Sequence, residues 1–296
     1  MQRITTRDKF ASTILYEGQT RESDAGRDSR GTAQTRVRVR TVALPTEHGG
    51  WGLALEPIVL GLLVAPSIAG CFLALAALGA FLARHPFKIV AGDRRRGRRF
   101  PRTAVAQRFA LLYGSIALAG FLAASATAVN YQFILPLLLA APFAAIQLIF
   151  DARGQSRALA PELAGSFGLA AVSTSIALAA GWPLPAAYGL WAILTARVVP
   201  AILYARARLQ LKRGEVASLS PVIITHVCAL AFVAGLAYMK IVSLLAVAAL
   251  LVLLLRAATG FSANAQLASA KQIGIREIAY GALTVLAVAA GQFLAR

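Results

Sequence analysis

Few side chains in this chain are equipped for chemistry, and apolar surroundings make those few conspicuous. Glu56 stands inside an oily run and directly precedes Pro57, so it is not an acid at a helix start. Just ahead of it, Pro45-Thr46-Glu47-His48-Gly49-Gly50-Trp51 gathers a carboxylate, an imidazole and an indole. Trp51 by itself reads as an interfacial anchor. A lone His is usually structural, and Glu47, His48 and Glu56 together leave two readings, separate structural roles or a shared polar cavity. Arg197 lies midway along another oily run. A charge at that depth costs about 2.5–3.5 kcal/mol on insertion scales, which makes it a functional hypothesis by default. It therefore needs a carboxylate or a polar cavity, and Glu56 is the expected partner. At about 100° per residue, Arg197, Tyr204 and Arg208 share one helical face, and Arg206 falls opposite.

Other charged residues have two readings each. Residues 91–103 form the densest basic patch, with Asp93 at its start. Topology and attraction to anionic lipid heads explain such a patch. So does an anion site, because guanidinium forks suit phosphate and diphosphate. Glu162 follows Pro161 and reads as a first-turn carboxylate or a functional acid. Glu277 is expected at the start of the last span, in a similar capping role. His226 reads as a helix-packing residue. Cys71 and Cys228 lie in apolar runs, without metal-ligand spacing, and are given no redox or metal role.

The elements that must position these residues are membrane spans. Of the 296 residues 58% are hydrophobic and only 14% charged, against about 25% charged in soluble domains. Apolar stretches of about 20 residues fit the hydrocarbon core. Nine spans are expected, near 49–65, 67–84, 108–127, 131–150, 160–180, 184–205, 219–238, 240–256 and 276–294, with eight as the alternative count. The architecture expected is an all-α polytopic helix bundle over residues 42–296. Residues 1–41 are polar and basic, without apolar period, and are expected to be a disordered cytoplasmic tail. Basic residues crowd every second connection: 84–108, 153–157, 206–213 and 256–276. That alternation places the N-terminus in the cytoplasm and the C-terminus outside. The net charge of +18 then reflects topology rather than a nucleic-acid partner.

The segment Leu44-Pro45-Thr46-Glu47-His48-Gly49-Gly50-Trp51, running into Glu56-Pro57 and Leu60-Gly61, resembles the YwiC-like family of bacterial membrane proteins. Asp93 to Thr103, Asp151-Ala152-Arg153 through Glu162, Arg197 to Arg208 and Gly274 to Glu277 look similar too. Asp151 and Arg153 join the ligand-binding candidates on that ground. A more distant similarity is to UbiA-type intramembrane prenyltransferases. It implies nine helices around a central cavity, with Asp-rich loops after the second and sixth helices that hold Mg²⁺ and a prenyl diphosphate. This chain keeps only Asp93 and Arg102-Thr103 in the first loop. It has Arg206, Arg208, Lys212 and Arg213 around the second, with Glu215 nearby. Mg²⁺ is therefore not expected. The implied function is binding of a lipophilic or isoprenoid ligand with an anionic head, or group transfer on it, in a bacterial cytoplasmic membrane, with Arg98, Arg102, Arg206 and Arg208 holding the anion and Glu56 or His48 as acid–base group. The alternatives are transport of a small anionic solute past Arg197, and a non-catalytic membrane subunit. Membrane lipids are the expected surroundings.

Overall fold

A computed structural model describes residues 39–45, 48–98, 100–261 and 269–294, with the side chains of His48, Gly49 and Ala270 left aside. The tail expected over 1–41 lies outside the described residues up to position 38. Its last residues belong instead to a short helix, α1 (Val39–Ala43). His85 meets the Thr41 carbonyl at 3.0 Å and ties α1 to the third helix.

Nine further helices follow among the described residues. They are α2 (His48–Val64), α3 (Ile68–Arg95), α4 (Pro101–Thr127), α5 (Ile134–Ala152), α6 (Leu159–Ala179), α7 (Leu184–Lys212), α8 (Ser220–Tyr238), α9 (Leu244–Thr259) and α10 (Ala270–Leu294). A single 3₁₀ turn, Tyr131–Phe133, leads into α5. Seven of these segments are long and apolar enough to cross a membrane, and α2 and α9 are shorter apolar helices. The nine expected spans thus each meet one helix, although a full crossing is clear for seven.

Local chemistry sets the ends. Ser67 accepts the Gly70 amide at 3.0 Å and starts α3. Pro101 opens α4, where the Thr103 hydroxyl accepts the Phe100 amide at 3.1 Å. Asn130 accepts from Gln132 at 2.9 Å before α5. Gly97 and Gly181, with φ of +63° and +86°, release the chain after α3 and α6, as a left-handed residue past a helix end does.

The helices α2, α6, α7, α8, α9 and α10 pack in sequence around a closed ring, with α2 against both α6 and α10. Outside this ring α5 and α3 lie on α6, and α4 lies on α3. Helices α6 and α7 are buried over most of their length, whereas α4, α5 and α8 are largely exposed. Small residues explain how α6 can sit so deep: Ala170, Ala171, Ser173, Thr174, Ser175 and Ala177 are all buried. Small side chains let backbones approach where lipid supplies no hydrophobic drive between helices. The α3–α4 pair uses the same device. A Cβ at Gly79 would stand 2.9 Å from the Tyr113 carbonyl, and one at Gly120 would stand 2.8 Å from the Phe72 carbonyl.

Candidate functional site

Arg197 projects from α7 toward α2 and α10, and it is only 2% exposed. Its Nη1 lies 3.0 Å from Glu56 Oε2, and its Nη2 donates to the Glu277 carbonyl at 2.7 Å. The partner expected for Arg197 is thus the one it meets. Room for the pair comes from α10: a side chain at Gly281 would collide with the Glu56 carboxylate and press on Arg197.

The same cluster continues through residues that sequence reasoning placed elsewhere. Arg256 was expected in a basic connection. Helix α9 runs on to Thr259, so Arg256 stays inside the bundle at 9% exposure. Glu277 was expected to cap a helix start. Helix α10 begins seven residues earlier, at Ala270, so Glu277 lies two turns in. Arg256 Nη1 and Glu277 Oε1 form an ion pair at 2.5 Å. The Arg256 guanidinium makes cation–π contacts with two rings, its Cζ 4.2 Å from the Tyr204 centroid and 4.8 Å from that of Tyr280. Arg208 donates to the Tyr204 hydroxyl at 3.0 Å and to the Gly260 carbonyl at 2.5 Å. His226 of α8 is buried and holds the Val222 carbonyl through Nδ1 at 2.7 Å. Five helices therefore converge on one buried polar network: α2, α7, α8, α9 and α10. A signal for Arg256 and Tyr280 existed only in their residue types, because their meeting depends on how α9 and α10 are rotated.

The remaining candidates sit at the helix ends, each with its own partner. Asp93, 1% exposed, receives Arg102 through Nη2 at 2.8 Å and Nε at 3.3 Å, and the Thr103 hydroxyl at 2.8 Å. Asp151 receives Arg84 through Nε at 2.6 Å and Nη2 at 3.1 Å, which locks α3 to α5. Arg206 pairs with Glu162 at 2.6 Å and donates to the Arg157 carbonyl at 3.1 Å. Glu162 is in the first turn of α6, where the sequence put it. Arg98 and Arg153 are exposed. Glu47 lies outside the described residues, as does the His48 side chain. Arg102, Arg206 and Arg208 are thus engaged at three separate junctions: α3–α4, α6–α7 and α7–α9.

These residues do not fit Mg²⁺. That ion takes carboxylates and other oxygens in near-octahedral array, and both Asp93 oxygens are already used by Arg102 and Thr103. Beyond α7 the nearest acid, Glu215, faces Arg213 at 3.7 Å. Among the described residues no three His, Cys, Asp or Glu side chains group as metal ligands.

A second feature lies on the other face of α7. A cleft of about 460 Å³ runs between α6, α7 and α8, with Phe167, Tyr188, Trp191, Thr195, Val199 and Phe232 in its wall. Its surface is almost wholly apolar. The Trp191 indole donates to the Phe167 carbonyl at 2.9 Å, and the two rings lie 5.0 Å apart, so the aromatic wall is fixed. Tyr188, Thr195, Val199 and Arg206 fall on one stripe of α7 by the helical repeat of about 100° per residue. Arg206 is seven residues beyond Val199, about 10 Å along the axis. A cation thus stands past the end of an oily groove, on the same helix face.

The fold and these features define a multi-pass helical membrane protein with a UbiA-like bundle. The chain superimposes on a solved structure described as "Structural and mechanistic insights into the biosynthesis of Digeranylgeranylglyceryl phosphate synthase in membranes". The TM-score is 0.55 at 11% identity, over 82% of this chain and 93% of that one. At that identity the likeness is one of fold. Residues 44–180, which include the Leu44–Trp51 segment, match the model of the family described as YwiC-like protein. No curated protein matches the chain.

Proposed function

We propose that this protein binds a lipophilic, isoprenoid-type molecule with an anionic head, its tail in the cleft between α6, α7 and α8 and its head at Arg206. The observation that carries this reading is the alignment of Tyr188, Thr195, Val199 and Arg206 along one face of α7. Ligand sites are concave and mostly apolar with a few placed polar groups, and about 300–1,000 Å³ is their usual size. The cleft falls in that range. Arg206 shares its charge with Glu162 but is about one-third exposed, so a phosphate-type head competes for it at modest desolvation cost. In this reading the basic ends of the helices face the cytoplasm of a bacterial cell, and a lipid ligand enters sideways from the bilayer. The solved protein of similar fold is described as a digeranylgeranylglyceryl phosphate synthase, which agrees with a lipidic ligand class. Arg98 and Arg102 remain candidates for a second contact with the head.

Cys228 lies in the cleft wall and Cys71 on α3; both are free and exposed. The test is alkylation of the purified protein by a membrane-permeant maleimide, with and without a labelled polyprenyl phosphate. Saturable binding together with protection of Cys228, but not Cys71, is expected. Ala192→Trp fills the cleft and abolishes protection. Arg206→Ala weakens binding about 10-fold or more, the loss of one charge-assisted hydrogen bond of about 1.5–3 kcal/mol. Equal alkylation of Cys228 at every ligand concentration rejects the proposal.

A further inference from the structure

The network around Arg256 is incompletely paired, and the unpaired atoms form a pattern. Arg256 spends Nη1 on Glu277. Its Nε and Nη2 are buried without a hydrogen-bond partner among the described residues. Those two N–H groups are the parallel edge of the guanidinium, the edge that grips a carboxylate or phosphate through two bonds at once. Arg197 Nε, a third donor, is buried and unpaired in the same way, as are Glu277 Oε2 and His226 Nε2. Native proteins leave few buried polar atoms unsatisfied, and each such atom calls for an explanation. Here five of them belong to four residues of one network, and His226 interacts electrostatically with both Arg256 and Glu277.

We infer that this network is a binding site for one small oxyanion that keeps an acidic hydroxyl, hydrogenphosphate being the simplest example. Two oxygens take the Nε–Nη2 edge of Arg256, and Glu277 joins the two arginines, its carbonyl held by Arg197 and its carboxylate by Arg256. Glu277 Oε2 can only accept, so it repels a fully deprotonated ligand and takes a hydrogen bond from one that retains its O–H. The Tyr204 and Tyr280 rings both lie within cation–π distance of the guanidinium and favour its staying charged. The occupant is a free, water-soluble anion rather than a lipid head. Arg197 points about 200° away from Thr195 and hence from the cleft, and Arg256 meets Glu277 and the rings of Tyr204 and Tyr280. The inference stands on different residues from the cleft reading, so either can fail alone.

The test uses the full chain in detergent, in phosphate-free buffer at constant ionic strength. Thermal unfolding is followed while inorganic phosphate, sulfate, chloride or short-chain phosphatidic acid is added, and bound ³²P-phosphate is measured by equilibrium dialysis. Phosphate is expected to bind saturably and raise Tm, and sulfate and chloride to do neither. Arg256→Lys keeps the charge but loses the two-donor edge, and should weaken phosphate at least 10-fold. Gly114→Ala, on the exposed face of α4 away from both the network and the cleft, should bind as the parent does. A response to phosphatidic acid alone would assign the site to lipid and overturn the free-anion inference. Indifference to phosphate in dialysis of the parent chain, or an unchanged affinity in a folded Arg256→Lys, overturns it as well.

Discussion

A guanidinium inside a bilayer protein is tolerated only where its hydrogens find acceptors, and Arg197 shows how narrow that condition is. Its two terminal nitrogens are spoken for by Glu56 and by the Glu277 carbonyl. Removing one member of a buried ion pair strands the other and costs about 3–5 kcal/mol. Glu56→Ala should therefore lower stability by about that amount, and Glu56→Gln by less, since the amide oxygen still accepts. Thermal unfolding in a single detergent measures both, and equal melting of Glu56→Ala and the parent would show that the pair carries no stability. Gly281 belongs to the same unit. A methyl there would enter the space of the Glu56 carboxylate, so Gly281→Ala should destabilise comparably despite alanine's better helix propensity. The need for an acid near Arg197 was legible from the cost of a lone charge. The Arg256–Glu277 pair was not, because a cation close to the end of an apolar run is equally what topology demands.

Helix pairs in this protein are set by what is missing from their contact faces. Helices α3 and α4 touch backbone to backbone at Gly79 and Gly120, and the Asp93–Arg102–Thr103 cluster fastens the same pair at its end. Gly79→Ala and Gly120→Ala should each force the helices apart at a cost of about 1–3 kcal/mol. Gly114 is the internal control. It lies on α4 with nothing within 4 Å of its would-be Cβ, so Gly114→Ala should be neutral or stabilising by up to about 1 kcal/mol. Measured unfolding midpoints in which all three variants fall together would contradict close packing as the cause. The helix ends were less legible than their middles. Helices α3 and α7 run past their oily cores to Arg95 and Lys212, because basic and small residues continue a helix as well as apolar ones do.

Across the whole molecule, ion pairs and backbone bonds report which helix ends lie together. Arg84 with Asp151, Asp93 with Arg102, and Arg206 with Glu162 join the end of the bundle where the basic connections gather. At the opposite end the Val129 amide donates to the Ala179 carbonyl at 3.0 Å. Single cysteines at Arg96 and Arg213, in a background lacking Cys71 and Cys228, should share one side of the membrane. Cysteines at Gly181 and Met239 should share the other. An impermeant maleimide applied from outside intact cells is expected to label only the second pair. Labelling of position 96 together with position 239 would break the up-and-down arrangement.

Composition and order of residues alone determined that this chain is a multi-pass bundle of apolar membrane helices, and that Arg197 must face an acid. These follow from transfer free energies, which act on a span whatever its neighbours are. Tertiary structure alone decided that Arg256 keeps Glu277 and Arg206 keeps Glu162, and that Arg256 meets the rings of two tyrosines. It also decided that an oily cleft and a charged network lie on opposite faces of α7. Those outcomes depend on the rotation and approach of helices distant in the chain, and an all-round apolar helix carries too little pattern to announce either.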